Sequence, residues 1–450
     1  MAFIANTEND TREMLAEIGV ASVDDLFIDI PEKALLKEPL PIGRGLSEFE
    51  TLRLLRERAS MNRPAATEYT SFLGAGSYEH FIPSAVQAIA QRGEILTAYT
   101  PYQAEASQGT LQIIYEFQSM ICFLTGLDVA NASMYDGASA LAEAVLMASR
   151  INGRHQIVVP DTLHPSYTEV IESYTNHLEI ELVRWPSKDG VIDPSTWPAE
   201  ATTPAALIVP HPNFFGYLES AEELAKAVHD RGGLAIAVAN PMSLSVLAPP
   251  GDWGADIAVG ECQPIGLPMN FGGPYAGFLS TRTEHIRKMP GRIVGKTQDH
   301  EGREGFVLTL QTREQHIRRE RATSNICTNQ GLCATMVTLW LALIGKNGFE
   351  RLGALNLDRA GRLHDGLLKL RGVQPFSSAP FFNEFTVQLP MSAEQFYDEM
   401  KADGVLPGLP ASRLGNLDPR LLIVCATETK LDQDIEKYIE TAKRVLEQPS

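Results

Sequence analysis

Two stretches of the chain carry polar side chains with no hydrophobic period behind them. Tyr99 to Gly109, YTPYQAEASQG, sets Tyr99, Tyr102, Gln103, Glu105 and Ser107 within eleven residues. This pattern reads as a lining: phenol hydroxyls and carboxamides orient a small polar substrate, and Glu105 holds or relays a proton if its surroundings tune it. It fits equally a polar loop whose side chains bond one another. The second stretch, Gln311 to Gln330, gathers Arg313, Arg318, Arg319 and Arg321, then Thr323, Ser324 and Asn325 ahead of the apolar run LCATMVTLWLALIG. Hydroxyls with backbone amides at a helix start receive a phosphate. The arginines read as surface ion pairs.

The elements that position these residues turn on Val259 to Phe278, VGECQPIGLPMNFGGPYAGF. The run ADIAV reads as a buried strand, and five glycines, Gly260, Gly266, Gly272, Gly273 and Gly277, let backbone approach whatever lies at its carboxyl end. Open α/β sheets bind ligands at that edge. The placing of the loop resembles one feature of fold-type I pyridoxal-phosphate enzymes, in which the cofactor-bearing lysine follows a strand and precedes a glycine-rich loop. No lysine occurs between Gly260 and Ser280, and Gln263, eleven residues before Pro274, stands at the aligned position. A carboxamide forms no imine. Asn240, 23 residues earlier, stands where such catalysts keep an aspartate on the pyridinium nitrogen. Two contacts missing in register point to a degenerate site.

Around this loop strand and helix alternate: QIVVP, SYTEVIESY, LEIELVRW, ALIVP, AEELAKAVHDRGG behind a Ser220/Glu223 capping box, and LAIAVAN. The alternation predicts an α/β fold with a doubly wound, mainly parallel sheet. Three regions follow: a helical and extended arm over 1–90, a large α/β domain over 91–331, and a smaller α+β domain over 332–450. In the arm, Ser47 and Glu50 form a capping box, and the proline-rich segment around Leu35, Leu36, Leu40 and Ile42 is expected to run over a neighbouring surface, within the chain or across a subunit boundary. The small residues of SMYDGASALAEA open a helix that either binds an anion or only packs on the sheet. His164 and His211 read as hydrogen-bonded loop residues, and no His, Cys, Asp or Glu grouping has metal-ligand spacing, so no metal is expected.

The charge sum of 38 basic and 56 acidic residues is −18, which disfavours nucleic acid and anionic membrane as partners. Five cysteines, Cys122, Cys262, Cys327, Cys333 and Cys425, form no CxxC pair and suggest a reducing compartment. The acidic N-terminal stretch lacks a signal-peptide pattern, and the sequence reads as having no apolar run of the roughly 18 residues that span a bilayer. A cytoplasmic protein is expected.

Taken together, SFLGAGSYEHFIP, YTPYQAEASQG, HPNFFG, GECQPIGLPMNFGGPYAGF, GFVLTLQTREQHIRRERATSNICTNQ and VCATETKLDQDIEKYI resemble the glycine cleavage system P-protein family, most closely its N-terminal-half chains. The resemblance implies a fold-type I, aminotransferase-like architecture in which this chain, as subunit 1 of a glycine dehydrogenase (decarboxylating), pairs with a subunit 2, two pairs making a heterotetramer. In that family pyridoxal phosphate sits on a lysine of subunit 2. Glycine loses CO2, and its aminomethyl group passes to the lipoyl arm of the H-protein. Carried onto this sequence, Thr323, Ser324 and Asn325 reach the phosphate of the partner-bound cofactor. Tyr99, Tyr102, Gln103 and Glu105 line the glycine and lipoyl pocket, Gln263 marks the vacated lysine position, and the loop from Gly272 to Gly277 shapes the channel. The alternatives are a non-catalytic scaffold that stabilises subunit 2 or docks H-protein, and an independent lyase using another lysine such as Lys296.

Overall fold

The computed structural model describes residues 5–38, 40–326 and 328–447. Cys327 lies outside them. The chain forms two compact units that divide between Arg63 and Pro64.

The first unit holds the helices Glu8–Ile18 and Glu48–Ala59. Each starts on a full capping box, Thr7 with Asp10 and Ser47 with Glu50, so the Ser47/Glu50 expectation holds. Leu35, Leu36, Leu40 and Ile42 are exposed.

In the second unit a seven-stranded sheet runs in the order Val129–Ala130, Gly277–Thr281, Ile257–Glu261, Leu234–Val238, Pro204–Pro210, Gln156–Pro160, Glu181–Trp185. All pairings are parallel except those of Gly277–Thr281, which runs antiparallel to both neighbours. The glycine-rich loop after Ile257–Glu261 therefore turns the chain straight back beside its own strand. Helix Gly137–Asn152 packs Ala140, Leu141, Ala144, Val145 and Ala148 against the sheet, where small residues let helix and strands approach closely. Helix Ala221–His229 begins after Ser220 as read, but the Ser220 side chain makes no capping bond, which corrects the expected Ser220/Glu223 box.

The 37-residue helix Gly331–Leu367 breaks at Gly345, where φ is 62°. Its first half seats Cys333, Ala334, Val337 and Trp340 in the core beneath the glycine loop. Its second half gives Ala360, Leu363 and Leu367 to the core of a smaller four-stranded antiparallel sheet, Gln374–Pro375, Glu384–Gln388, Leu421–Cys425 and Leu409–Pro410. By length and composition the long helix is apolar enough to cross a membrane, contrary to the sequence reading that no such run exists. Its buried face supplies the physical reason: it is the shared core element of both sheets.

Candidate functional site

A cleft opens between the carboxyl edge of the large sheet and the small sheet, walled by Tyr78, His164, Tyr167, Asn240, Glu261 and Glu384. Local sequence builds each wall. Strand Ile257–Glu261 ends on Glu261, and the chain then turns so that Gln263 points inward, 2% exposed. The Gln263 carboxamide is fully paired. Its Oε1 accepts from the Tyr78 N–H at 2.9 Å, and its Nε2 donates to the carbonyls of Tyr78 at 2.8 Å and Leu267 at 3.1 Å. Gln263 thus staples the stretch SFLGAGSYEH to the glycine loop.

Glu261 faces the start of helix Gly137–Asn152. Its Oε2 accepts from the Gly137 N–H at 3.0 Å, and its Oε1 from the amides of Gln263 at 3.0 Å and Ala276 at 3.3 Å. Gly137 is required here because a Cβ would lie 2.2 Å from the Tyr167 hydroxyl oxygen and 3.0 Å from the Glu261 nitrogen. Burial pushes the Glu261 carboxyl up to about 7, the nearby Asp136 charge adding to the rise and the three amides opposing it. Asp136 itself caps the same helix through Ser139 N–H at 2.7 Å.

From the small sheet, Glu384 accepts from the Ala75 N–H at 2.6 Å and the Tyr78 hydroxyl at 3.0 Å, and burial pushes it up to about 7. Gly216, at φ 90°, admits the Glu384 backbone, whose carbonyl oxygen would otherwise lie 2.2 Å from a Cβ. His164 bonds the Ala75 carbonyl through Nε2 at 3.0 Å and accepts from Ser166 N–H through Nδ1 at 3.1 Å. Burial lowers its pKa, so it is a neutral loop-bonding residue, as read. His211, lowered to about 4 by burial, likewise stays neutral. Farther along the same stretch, His80 Nδ1 meets Glu428 Oε2 at 2.8 Å, the Phe81 N–H donates to Glu428 Oε1 at 2.8 Å, and Lys430 Nζ meets Glu79 Oε2 at 2.6 Å. The C-terminal motif VCATETK therefore clamps SFLGAGSYEH from the other side.

Pyridoxal phosphate bound covalently to this chain does not fit these residues. Gln263 offers no amine, and both of its amide N–H groups are spent on backbone carbonyls. Asn240 is a neutral amide that turns back on its own backbone, its Oδ1 accepting from Met242 N–H at 3.0 Å. The helix-start amide that would take a phosphate is bonded to a carboxylate instead. Among the described residues, no group of three His, Cys, Asp or Glu could hold a metal.

The remaining predicted residues lie outside this cleft. Tyr99 is 92% exposed and lines a groove with Leu96, Ile113, Asn329 and Thr335; Gln103 and Glu105 are exposed beside it. Tyr102, 53% exposed, places its hydroxyl 3.2 Å from Arg292 Nη2, and the Arg292 guanidinium lies 5.4 Å from its ring centre. Arg292 is buried and also donates to Asn329 Oδ1 at 3.2 Å, so it ties the two polar stretches together. The Tyr102 ring meets His316 at 6.0 Å, and neighbouring Gln315 donates to Asn325 Oδ1 at 2.9 Å. Tyr102 and Asn325 therefore belong to one surface. Thr323, Ser324 and Asn325 do not open a helix as expected: the helix begins only at Gly331, and Ser324 Oγ accepts from Ile326 N–H at 3.0 Å in a local turn. Arg313 is also unlike its reading. It is buried rather than in a surface ion pair, donating to the carbonyls of Gly291 at 3.0 Å, Leu310 at 3.2 Å and Met289. Sequence reasoning missed Glu261, Glu384 and Arg292; Glu261, inside the quoted GECQ motif, and Arg292, in GRIVGKT, lay in recognisable motifs.

The family model of the glycine cleavage system P-protein matches residues 1–441. A protein of Desulfitobacterium hafniense named "Probable glycine dehydrogenase (decarboxylating) subunit 1" is 47% identical over 441 residues, 98% of each chain. A crystal structure of glycine decarboxylase (P-protein) of the glycine cleavage system, in inhibitor-bound form, superposes with a TM-score of 0.90 at 44% identity, covering 99% of this chain and 100% of that one. A sphingosine-1-phosphate lyase of Burkholderia pseudomallei shares the fold alone, with a TM-score of 0.65 at 13% identity, over 92% of this chain and 93% of that one.

Proposed function

The chain belongs to the glycine cleavage system P-protein family, acting in glycine decarboxylation as its subunit 1 type, and from that premise we propose that it is the half that holds no cofactor. One observation carries this reading: at the lysine position Gln263 is spent on backbone bonds to Tyr78 and Leu267. The cofactor then belongs to a lysine of the partner subunit 2. Bound there, pyridoxal phosphate supplies the electron sink for cleavage of the glycine carboxylate bond.

What this chain contributes is its exposed surface. The hydroxyls of Thr323 and Ser324 and the amide of Asn325 bind the phosphate of the partner's cofactor, as small neutral donors do for a dianion. The Tyr102 hydroxyl, set by Arg292, orients glycine, with Tyr99, Gln103 and Glu105 completing a pocket shared with the lipoyl arm of H-protein. The loop from Gly272 to Gly277 shapes the entrance. Leu35, Leu36, Leu40 and Ile42 meet the partner, which removes their apolar surface from water. Two such pairs form a heterotetramer in the cytoplasm.

The experiment is exchange of labelled CO2 into the glycine carboxyl group, run with this chain alone, subunit 2 alone, and both. Exchange only in the mixture is the expected result. Exchange by this chain alone contradicts the reading. The scaffold reading, for which the self-bonded cleft also speaks, differs at Tyr102: a scaffold tolerates its loss.

A further inference from the structure

We infer that Glu261 is a built-in substitute for the cofactor phosphate, holding the cleft of this chain closed to phosphorylated ligands. The inference rests on the reading that this half binds no cofactor, and it assigns the residue that enforces it. In an α/β protein the amides at a helix start are the natural anion site, because the helix dipole and unpaired N–H groups converge there. Here Glu261 Oε2 takes the Gly137 N–H at 3.0 Å. Its other oxygen bonds Gln263 N–H at 3.0 Å and Ala276 N–H at 3.3 Å, at both ends of the glycine-rich loop.

One carboxylate thus joins the helix start, the residue at the vacated lysine position and the returning strand. A phosphate approaching this turn meets Glu261 and the Asp136 carboxylate, and among the described residues no arginine or lysine lines the cleft or the adjoining hollow at the helix start. Gly137 lets the helix start come within bonding distance of Glu261, since any Cβ there collides with Tyr167 and the Glu261 backbone. Restoring a lysine at position 263 therefore leaves the cleft without a place for the phosphate.

The test is amide hydrogen exchange on the complete complex with subunit 2, read in peptides of this chain that cover 136–140, with and without millimolar inorganic phosphate. Wild type is expected to show slow exchange there that phosphate does not change. In E261Q, which keeps the size of the side chain, exchange is expected to rise about tenfold or more through loss of a charge-assisted acceptor. In E261A/D136S, which keeps a helix cap, phosphate is expected to restore protection. Phosphate protection in wild type, unaltered exchange in E261Q, or absence of a phosphate effect in E261A/D136S overturns the inference. The underlying reading fails separately, if borohydride reduction of the wild-type complex leaves a pyridoxyl group on this chain.

Discussion

The carboxamide of Gln263 grips the backbone of Tyr78 at both polar atoms, 2.9 Å from its N–H and 2.8 Å from its carbonyl oxygen. The residues are 185 positions apart, so the bond is a tertiary staple. Gln263 is a structural joint here.

Replacing Gln263 by lysine removes an acceptor and leaves the part-buried Tyr78 N–H unpaired, beside an ammonium that must itself be buried. Q263K is expected to destabilise the chain by about 2–4 kcal/mol. Chemical denaturation of the complex checks this. No pyridoxal phosphate should become attached at position 263, because Glu261 still bonds Gly137 N–H.

Tyr102→Ala removes the hydroxyl held by Arg292. Turnover of the assembled complex is expected to fall about tenfold or more, equivalent to roughly 1.4 kcal/mol of barrier, with unfolding unchanged because Tyr102 is more than half exposed. Steady-state rates with H-protein measure it. An unchanged rate favours the scaffold reading.

Ser324→Ala and Thr323→Val delete hydroxyls proposed to bind the phosphate of the partner's cofactor. Each should weaken the affinity of the complex for pyridoxal phosphate by about tenfold, the effect of one hydrogen bond to a charged group. Titration of the resolved apo-complex, followed by absorbance, gives the ratio to wild type.

Glu261 and Glu384 each have a carboxyl raised to about 7 by burial, against 4.5 in the unfolded chain. Between these values the folded state holds more protons than the unfolded state, so stability falls as pH rises from about 4.5 to about 7 and this contribution is then flat. Denaturation of the complex across that window should show the decline, and E384Q should flatten part of it.

The outline of the large sheet was legible because its strands are buried apolar runs separated by amphipathic helices, a pattern that survives without tertiary information. That position 263 carries no amine was legible too, since this is a property of the residue itself. The partner it found was not: Tyr78 is remote in sequence, and nothing local to SFLGAGSYEH announces a backbone staple. Arg313 shows the same limit. Within a cluster of four arginines, only the fold decides which is folded inward onto carbonyls. Thr323 to Asn325 looked like a helix cap because an apolar run follows, yet that helix waits until Gly331. Ser220 and Glu223 had the spacing of a capping box without its bond. Side-chain pattern locates elements well; the hydrogen bonds at their ends depend on neighbours it does not contain.

The most direct measurement is the visible absorption spectrum of this chain purified alone with pyridoxal phosphate, repeated after adding subunit 2, with borohydride reduction to locate the bound group. The account predicts no absorption band from a covalently bound cofactor for the chain alone, a band in the mixture, and the reduced group on subunit 2. A band from this chain by itself, with the group on one of its own lysines, would contradict it.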